Sequence, residues 1–361
     1  VIGATAAIAG ATLFSASGTE ALQVFGLNYN ARLGPDWAPS ETRCKSDASI
    51  QQDMKTLKTV TNIVRLYSLV DCDQGTRVIP AAISAGLNVS VGLWVSGDAN
   101  VFRAEKAQLE SLFTRGLITS DKIFDIHVGS EAIYRNDISV AQNIAYLDEI
   151  KALRDQYPQS KDIPVTIAEI SDVYLAHSEL VDAVDVVSAN NFPFWEKWDV
   201  ATAAQRFQDR MTPLFALASS KGKRVVIGET GWASDGTSAK ASTANPENAL
   251  TYFRDFYALA KQQRWEYFEA FDEEWKVTTA VDAAVEAHFG LFNANGAIKE
   301  TFASVVLAES SAVPDFLLSA EGGQAEASTS TSTSPAPSTS VPPSPSTSSS
   351  SNSSNHSRCN S

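Results

Sequence analysis

The chain has 361 residues, 44% of them hydrophobic, enough to bury one large core, and a single barrel of roughly 250 to 300 residues fits without a second domain. A formal net charge of −14 and a pI near 4.8 weigh against nucleic acid or an anionic membrane surface as partner, because either would repel the chain. An uncharged substrate is the easier fit.

The first residues, VIGATAAIAGATLFSA, are uncharged and end in small side chains. Residues 1–20 therefore read as the apolar and cleavage region of a secretory signal peptide, with a short membrane anchor or a buried segment as alternatives. Strand-like runs follow at Val24–Asn30, Ile63–Leu69, Leu87–Val95, Ile123–Glu131, Pro164–Ser171, Val184–Phe192, Arg224–Trp232 and Glu266–Trp275. Between them lie segments with helical spacing, among them Ser49–Val60, Arg103–Gly116, Ser139–Pro158 and Pro246–Arg264. Eight such βα units over residues 21–315 predict an α/β fold, a (β/α)8 TIM barrel. A doubly wound open sheet would need a Gly-rich phosphate loop after its first strand, and NYNARLGPDW has none.

Ile298–Glu309 is amphipathic and is expected to be the helix that closes the barrel. Residues 321–361 turn to Ser, Thr and Pro, a mixture that cannot bury enough apolar surface to fold, and they are expected to form a disordered, O-glycosylated spacer. Asn352 and Asn355 head N-x-Ser sequons there, whereas the sequon at Asn88 falls in a predicted strand. Cys44 and Cys72, 28 residues apart in loops near the first two strands, can pair in an oxidising compartment or stay as free thiols, and Cys359 has no evident partner.

In a barrel of this kind the site lies at the carboxyl ends of the strands. The fourth strand ends in Ser130 and Glu131, the seventh in Glu229, and the eighth in Asp272, Glu273 and Glu274. The second brings Arg65 and Tyr67, the third Trp94, and the sixth Asn190, Asn191 and Phe192. Carboxylates on strands four and seven face each other across the barrel mouth and can approach one glycosidic bond from opposite sides, one giving a proton and the other attacking carbon. Beside the second of them, Gly231 allows a turn and Trp232 offers a flat apolar face to a sugar ring. The plainer reading of each acid is a solvated strand end.

The stretches HVGSEAIYR, VVIGETGWAS and FDEEWK, followed by HFGLFNANG, resemble glycoside hydrolase family 17, the β-1,3-glucanases of the retaining barrel clan, from about Val24 to Glu309. VRLYSLVDC is similar to the fungal, wall-remodelling branch, some members of which transfer glucan chains. The resemblance implies Glu131 as acid/base and Glu229 as nucleophile, with Glu273 and Lys276 as polar partners and Tyr67 near the bound sugar. Ser130, Asn190, Trp232 and Trp275 join them as expected substrate contacts. Lys276 should favour ionised neighbours, so the acid should be the carboxyl farther from it.

Two positions depart from the family's pattern. Ser130 stands where many members of the clan have Asn, and Phe192 stands where plant members carry Tyr, which removes a hydroxyl from the nucleophile's surroundings. Trp94, Phe194, Trp195, Trp198, Trp232 and Trp275 are candidates either for a glucan cleft or for the core. His127 is expected to be a packed histidine, since no second ligand lies at metal spacing; neither a metal nor a cofactor is implied. The expected partner is β-1,3-glucan, with no nucleic acid and no membrane domain, and the protein is expected to act as a monomer, secreted or in the cell wall. Hydrolysis is the leading expectation, glucanosyl transfer the second, and a wall protein that binds glucan without turnover the third.

Overall fold

A computed structural model describes residues 22–260, 263–278, 284–303 and 305. Eight parallel strands close into a barrel in sequence order: β1 (Gly26–Asn28), β2 (Ile63–Arg65), β3 (Asn88–Leu93), β4 (Ile123–Ser130), β5 (Val165–Ile170), β6 (Val187–Asn190), β7 (Val225–Thr230) and β8 (Arg264–Tyr267), which pairs back onto β1. The (β/α)8 expectation is borne out. The helices are α1 (Ser40–Arg43), α2 (Asp47–Lys58), α3 (Gln74–Ser84), α4 (Ala99–Thr114), α5 (Val140–Arg154), α6 (Ser171–Ala176), α7 (Ser178–Ala183), α8 (Val200–Ser220), α9 (Pro246–Ala260) and α10 (Glu300–Ala303).

The long helices begin where a short polar side chain can take an otherwise orphaned N–H. Ser46 Oγ accepts from Ser49 N at 3.1 Å, Ser139 Oγ from Gln142 N at 3.2 Å, Asp98 Oδ1 from Asn100 N at 2.9 Å, and Asp199 Oδ1 from Ala201 N at 2.9 Å. Their inner faces bury Ile50, Met54 and Leu57 on α2, Leu147 and Ile150 on α5, and Phe253 and Phe256 on α9 against the barrel wall. Cys44 and Cys72 are joined with a Cα–Cα separation of 5.5 Å, so the paired alternative holds.

Each strand is shorter than the run expected for it, the eighth most of all. The eighth strand leaves the ladder after Tyr267 instead of running to Trp275, because the next residues bond alternately to two segments. Ala270 N donates to Asn28 O at 2.9 Å, while Glu269 N donates to Phe289 O at 3.2 Å and Asp272 N to Phe292 O at 2.9 Å. That excursion brings an acidic stretch over the barrel mouth. The closing helix is described only at Glu300–Ala303, and its expected continuation to Glu309 lies outside the described residues, as do residues 1–20, 321–361 and Cys359. Asn88 is the first residue of β3, its N–H donating to Asn62 O at 2.8 Å.

The floor of the barrel is polar. Asp125, His127, Arg65, Glu266, Ser90 and Ser188 are all buried inside it. His127 is packed there, and burial beside Arg65 pushes its imidazole well below the usual range, so the ring is neutral.

Candidate active site

Register shifts cluster at the carboxyl ends of the strands that carry the acids. Three of the four fall there, between His127 and Ser130 on β4, between Ala189 and Asn190 on β6, and between Ile227 and Thr230 on β7, and the fourth lies between Val89 and Ser90 on β3. Such irregularities re-aim side chains at a barrel rim. Glu131 leaves β4 in the left-handed region at φ 54°, a conformation that costs a non-glycine residue roughly 1–3 kcal/mol unless the surroundings hold it. They do so: Glu131 N donates to Ala168 O at 2.8 Å, and Glu131 O accepts from Arg135 N at 2.9 Å. Gly129, at φ 91°, precedes it, and a Cβ there would meet Val95 Cγ2 at 2.7 Å. Gly228 plays the same part before Glu229, since a Cβ would lie 2.7 Å from Ser188 Oγ and 3.0 Å from Arg65 Nη1.

The two carboxyls live in different electrostatic settings. Glu229 Oε1 lies 3.2 Å from Arg65 Nη1 and accepts from Ser130 Oγ at 3.2 Å, so its anion has a buried counter-charge and a hydroxyl donor. Arg65 is itself fixed by Gly228 O at 2.7 Å and lies 3.6 Å from Glu266 Oε2. Glu131 accepts from Asn190 Nδ2 at 2.8 Å, yet burial and the charge of Glu229 together push its carboxyl up to about 7. One acid is thus poised to hold a proton while the other is paired with a guanidinium. That division suits a general acid and a nucleophile.

Behind Glu131 stands Glu169 at the end of β5. Its Oε1 accepts from the backbone N–H of Ile133 at 2.6 Å and of Tyr134 at 3.4 Å, which holds the turn after the acid. Arg135 reaches Ser130 O from that turn, pairs with Asp137 at 2.9 Å, and lays its guanidinium 4.6 Å from the centre of the Trp94 ring.

Lys276 is buried on the other side, at 2.6 Å from Glu273 and 3.3 Å from Glu269, with Glu286 as a further charge acting on it. The cation beside Glu229 is Arg65, while the charge of Lys276 falls on Glu273 and Glu269. Burial, only partly offset by Lys276, pushes Glu286 up to about 7.

Several expected substrate contacts turn out to have protein partners. Ser130 is committed to Glu229 and the Asn190 amide to Glu131, so both position the acids. Trp232 is 1% exposed, wedged against Phe194 and Tyr252, with Nε1 donating to Thr243 O at 3.1 Å; it is core, and no sugar can reach its face. Phe194 is core as well. Trp275 remains at the cleft, lining a pocket of about 120 Å³ with Asn28, Arg32, Leu33, Lys45 and Glu273. Tyr67 packs its ring 5.2 Å from the Arg65 guanidinium, and among the described residues its buried hydroxyl has no hydrogen-bond partner. Phe192, lacking a hydroxyl, stacks edge-on against Phe268 and Phe289.

Sequence reasoning missed Glu169, Glu269, Glu286 and Arg135. Glu169 carried a local signal at the carboxyl end of the fifth predicted strand, Arg135 at the end of HVGSEAIYR, and Glu269 in the acidic run from Glu266 to Glu274. Among the described residues no group of three or more His, Cys, Asp or Glu side chains is placed to hold a metal.

The model of the BtgE/BtgC glycoside hydrolase domain matches residues 26–290. The chain belongs to this family. A BtgE/BtgC barrel is a glycoside hydrolase, and the resemblance read from HVGSEAIYR and its companion motifs is borne out. A glucan 1,3-beta-glucosidase of Candida albicans is 32% identical over 271 residues, covering 71% of this chain and 86% of that protein. One from Saccharomyces cerevisiae is 28% identical and covers 81% and 95%. Among solved structures, a glycoside hydrolase family 17 beta-1,3-glucanosyltransferase from Rhizomucor miehei superposes with a TM-score of 0.66 at 27% identity, covering 77% of this chain and 96% of that one.

Proposed function

We propose that the protein is a secreted, wall-acting endo-β-1,3-glucanase that works as a monomer and retains anomeric configuration. Glu229 attacks the anomeric carbon as Glu131 passes its proton to the glycosidic oxygen; the C–O bond breaks, and the leaving chain departs with a new hydroxyl. Water, deprotonated by Glu131, then releases the sugar from Glu229. The observation that carries this reading is the unequal pair, with Glu131 raised to about 7 opposite a Glu229 held by Arg65 and Ser130.

The pair also accounts for the change of role. Esterifying Glu229 removes the negative charge that helps keep Glu131 protonated, so Glu131 becomes a better base when water must be activated. Tyr67, whose hydroxyl stays protonated because burial and Glu229 both raise it, is left to donate to the sugar. The names of the yeast relatives support a β-1,3-linked glucan as substrate, and the Cys44–Cys72 bond supports an oxidising location.

Glu229→Ala and Glu131→Gln, assayed on laminarin, should each lose at least a thousandfold in kcat/KM, and early products of the unaltered enzyme should keep the β configuration by NMR. Near-normal rates in both variants would sink the assignment. Transfer to a second glucan chain is the competing outcome, favoured by the Rhizomucor miehei neighbour. Products longer than the substrate would identify it.

A further inference from the structure

The chain between β1 and α2 is held in place at several points. Arg32 and Cys44 pair as an antiparallel bridge, Leu33 N donates to Arg43 O at 2.5 Å, and Lys45 N donates to Ala31 O at 2.8 Å. Cys44 is bonded to Cys72, and Arg32 grips Asp71 through Nε at 2.6 Å and Nη2 at 3.1 Å. Arg32 also contacts Asp36 at 2.5 Å and lies 5.8 Å from the centre of the Trp275 ring.

At the tip of this clasped loop Ala38 N donates to Pro35 O at 2.9 Å, and Pro35 and Pro39 flank the turn with fixed φ angles. Trp37 sits inside that turn. Its side chain is the most exposed large apolar group among the described residues, at 82%, and Leu33, on the same loop, is 54% exposed. Leu33 and Arg32 already form the wall of the pocket that Trp275 and Glu273 line. The loop is therefore continuous with the cleft and ends in an indole ring kept out in water.

We propose that Trp37, with Leu33 beside it, is a distal subsite that stacks on a glucose unit of a long glucan after the chain has passed Trp275. This rests on the substrate reading above. A pyranose in the β configuration presents one face of C–H groups, which matches an indole in size and polarity. A ring held by a disulfide-tethered loop with a bidentate ion pair loses little freedom on binding, so the contact is translated into affinity with little ordering cost. The occupant is uncharged, in keeping with a loop where Arg32 is already neutralised by Asp71 and Asp36.

The test is affinity electrophoresis in native gels containing laminarin of the full chain carrying Glu229→Ala, which spares the glucan so that retardation reports binding alone. This parent, with Trp37 intact, should be retarded. Trp37→Ala should raise the apparent Kd about tenfold, and Trp37→Phe should recover most of the retardation, while both keep the parent melting temperature because the ring contributes nothing to the core. Retardation of Trp37→Ala equal to that of the parent would overturn the proposal, and is the result expected if another protein or a second copy of the chain covers this ring. A failure of the catalytic reading would appear instead as absent product from the unaltered protein while its Glu229→Ala form is still retarded through Trp37.

Discussion

Arg65 and Glu229 meet at 3.2 Å in a setting where their side chains are only 1% and 8% exposed. A charge pair this deep is costly to break from one side, because the remaining partner stays buried without its counter-charge. Arg65→Met should therefore lower the unfolding free energy by about 3–5 kcal/mol in urea titrations. It should also cut kcat by more than KM changes, since the guanidinium steadies the carboxylate proposed to attack. A variant with parental stability and kcat would show that Glu229 does not depend on the pair.

Glu131, the proposed acid, must be protonated to act, and its carboxyl is raised to about 7. The rate should accordingly fall about tenfold for each pH unit above 7. The Asn190 amide opposes the rise by donating to the ionised form. Asn190→Ala should then move the alkaline limb of kcat/KM upward by about one pH unit, the size expected for one lost bond to a charged group, while lowering the plateau. An unmoved limb would separate Asn190 from the acid's titration.

The barrel and the two acids were legible because both follow local rules. β-branched runs such as Val225–Ile227 mark strands buried on two sides, and a Glu directly after such a run has to stand at the rim. What decides their chemistry was not legible, since it comes from contacts over long separations. Arg65 reaches Gly228 across 163 residues, and Glu169 supports the Glu131 turn from the next strand. Trp232 misled for the same reason: its position beside Glu229 is visible in the sequence, whereas the pocket made by Phe194 and Tyr252 depends on the register of β7 against its neighbours. The short β8 shows the limit of alternation as a signal, because the chain bends at Phe268 and Ala270 and the hydrogen bonds of Glu269–Asp272 go to Asn28 and to Phe289–Phe292.

Trp232 offers a test that separates core from platform. Trp232→Ala should cost about 3–5 kcal/mol of stability through the cavity it leaves. Trp232→Phe, which keeps most of the packing, should leave KM for laminarin within twofold. A large rise in KM at full stability would return the ring to the sugar.

Glu169 lets the pH dependence of stability be worked out with its sign. Burial pushes its carboxyl up to about 8, opposed by the N–H groups of Ile133 and Tyr134, whereas the unfolded chain titrates near 4.5. Between those values the folded protein binds more protons than the unfolded one, so stability falls as pH rises. The contribution is present in full below about 4.5 and lost by about 8, and its full span is on the order of a few kcal/mol. Glu105 and Glu286, both raised to about 7 by burial, slope the same way and finish earlier. The melting temperature should thus decline from pH 5 to pH 8. Glu169→Gln keeps an acceptor for Ile133 N but has no proton to lose, so its curve should fall less steeply than the parent's between pH 7 and 8, where Glu169 titrates while Glu105 and Glu286 complete their ionisation. Parallel curves for the two proteins would mean that Glu169 is ionised in the fold throughout, and that the turn bearing Glu131 is held by a charge.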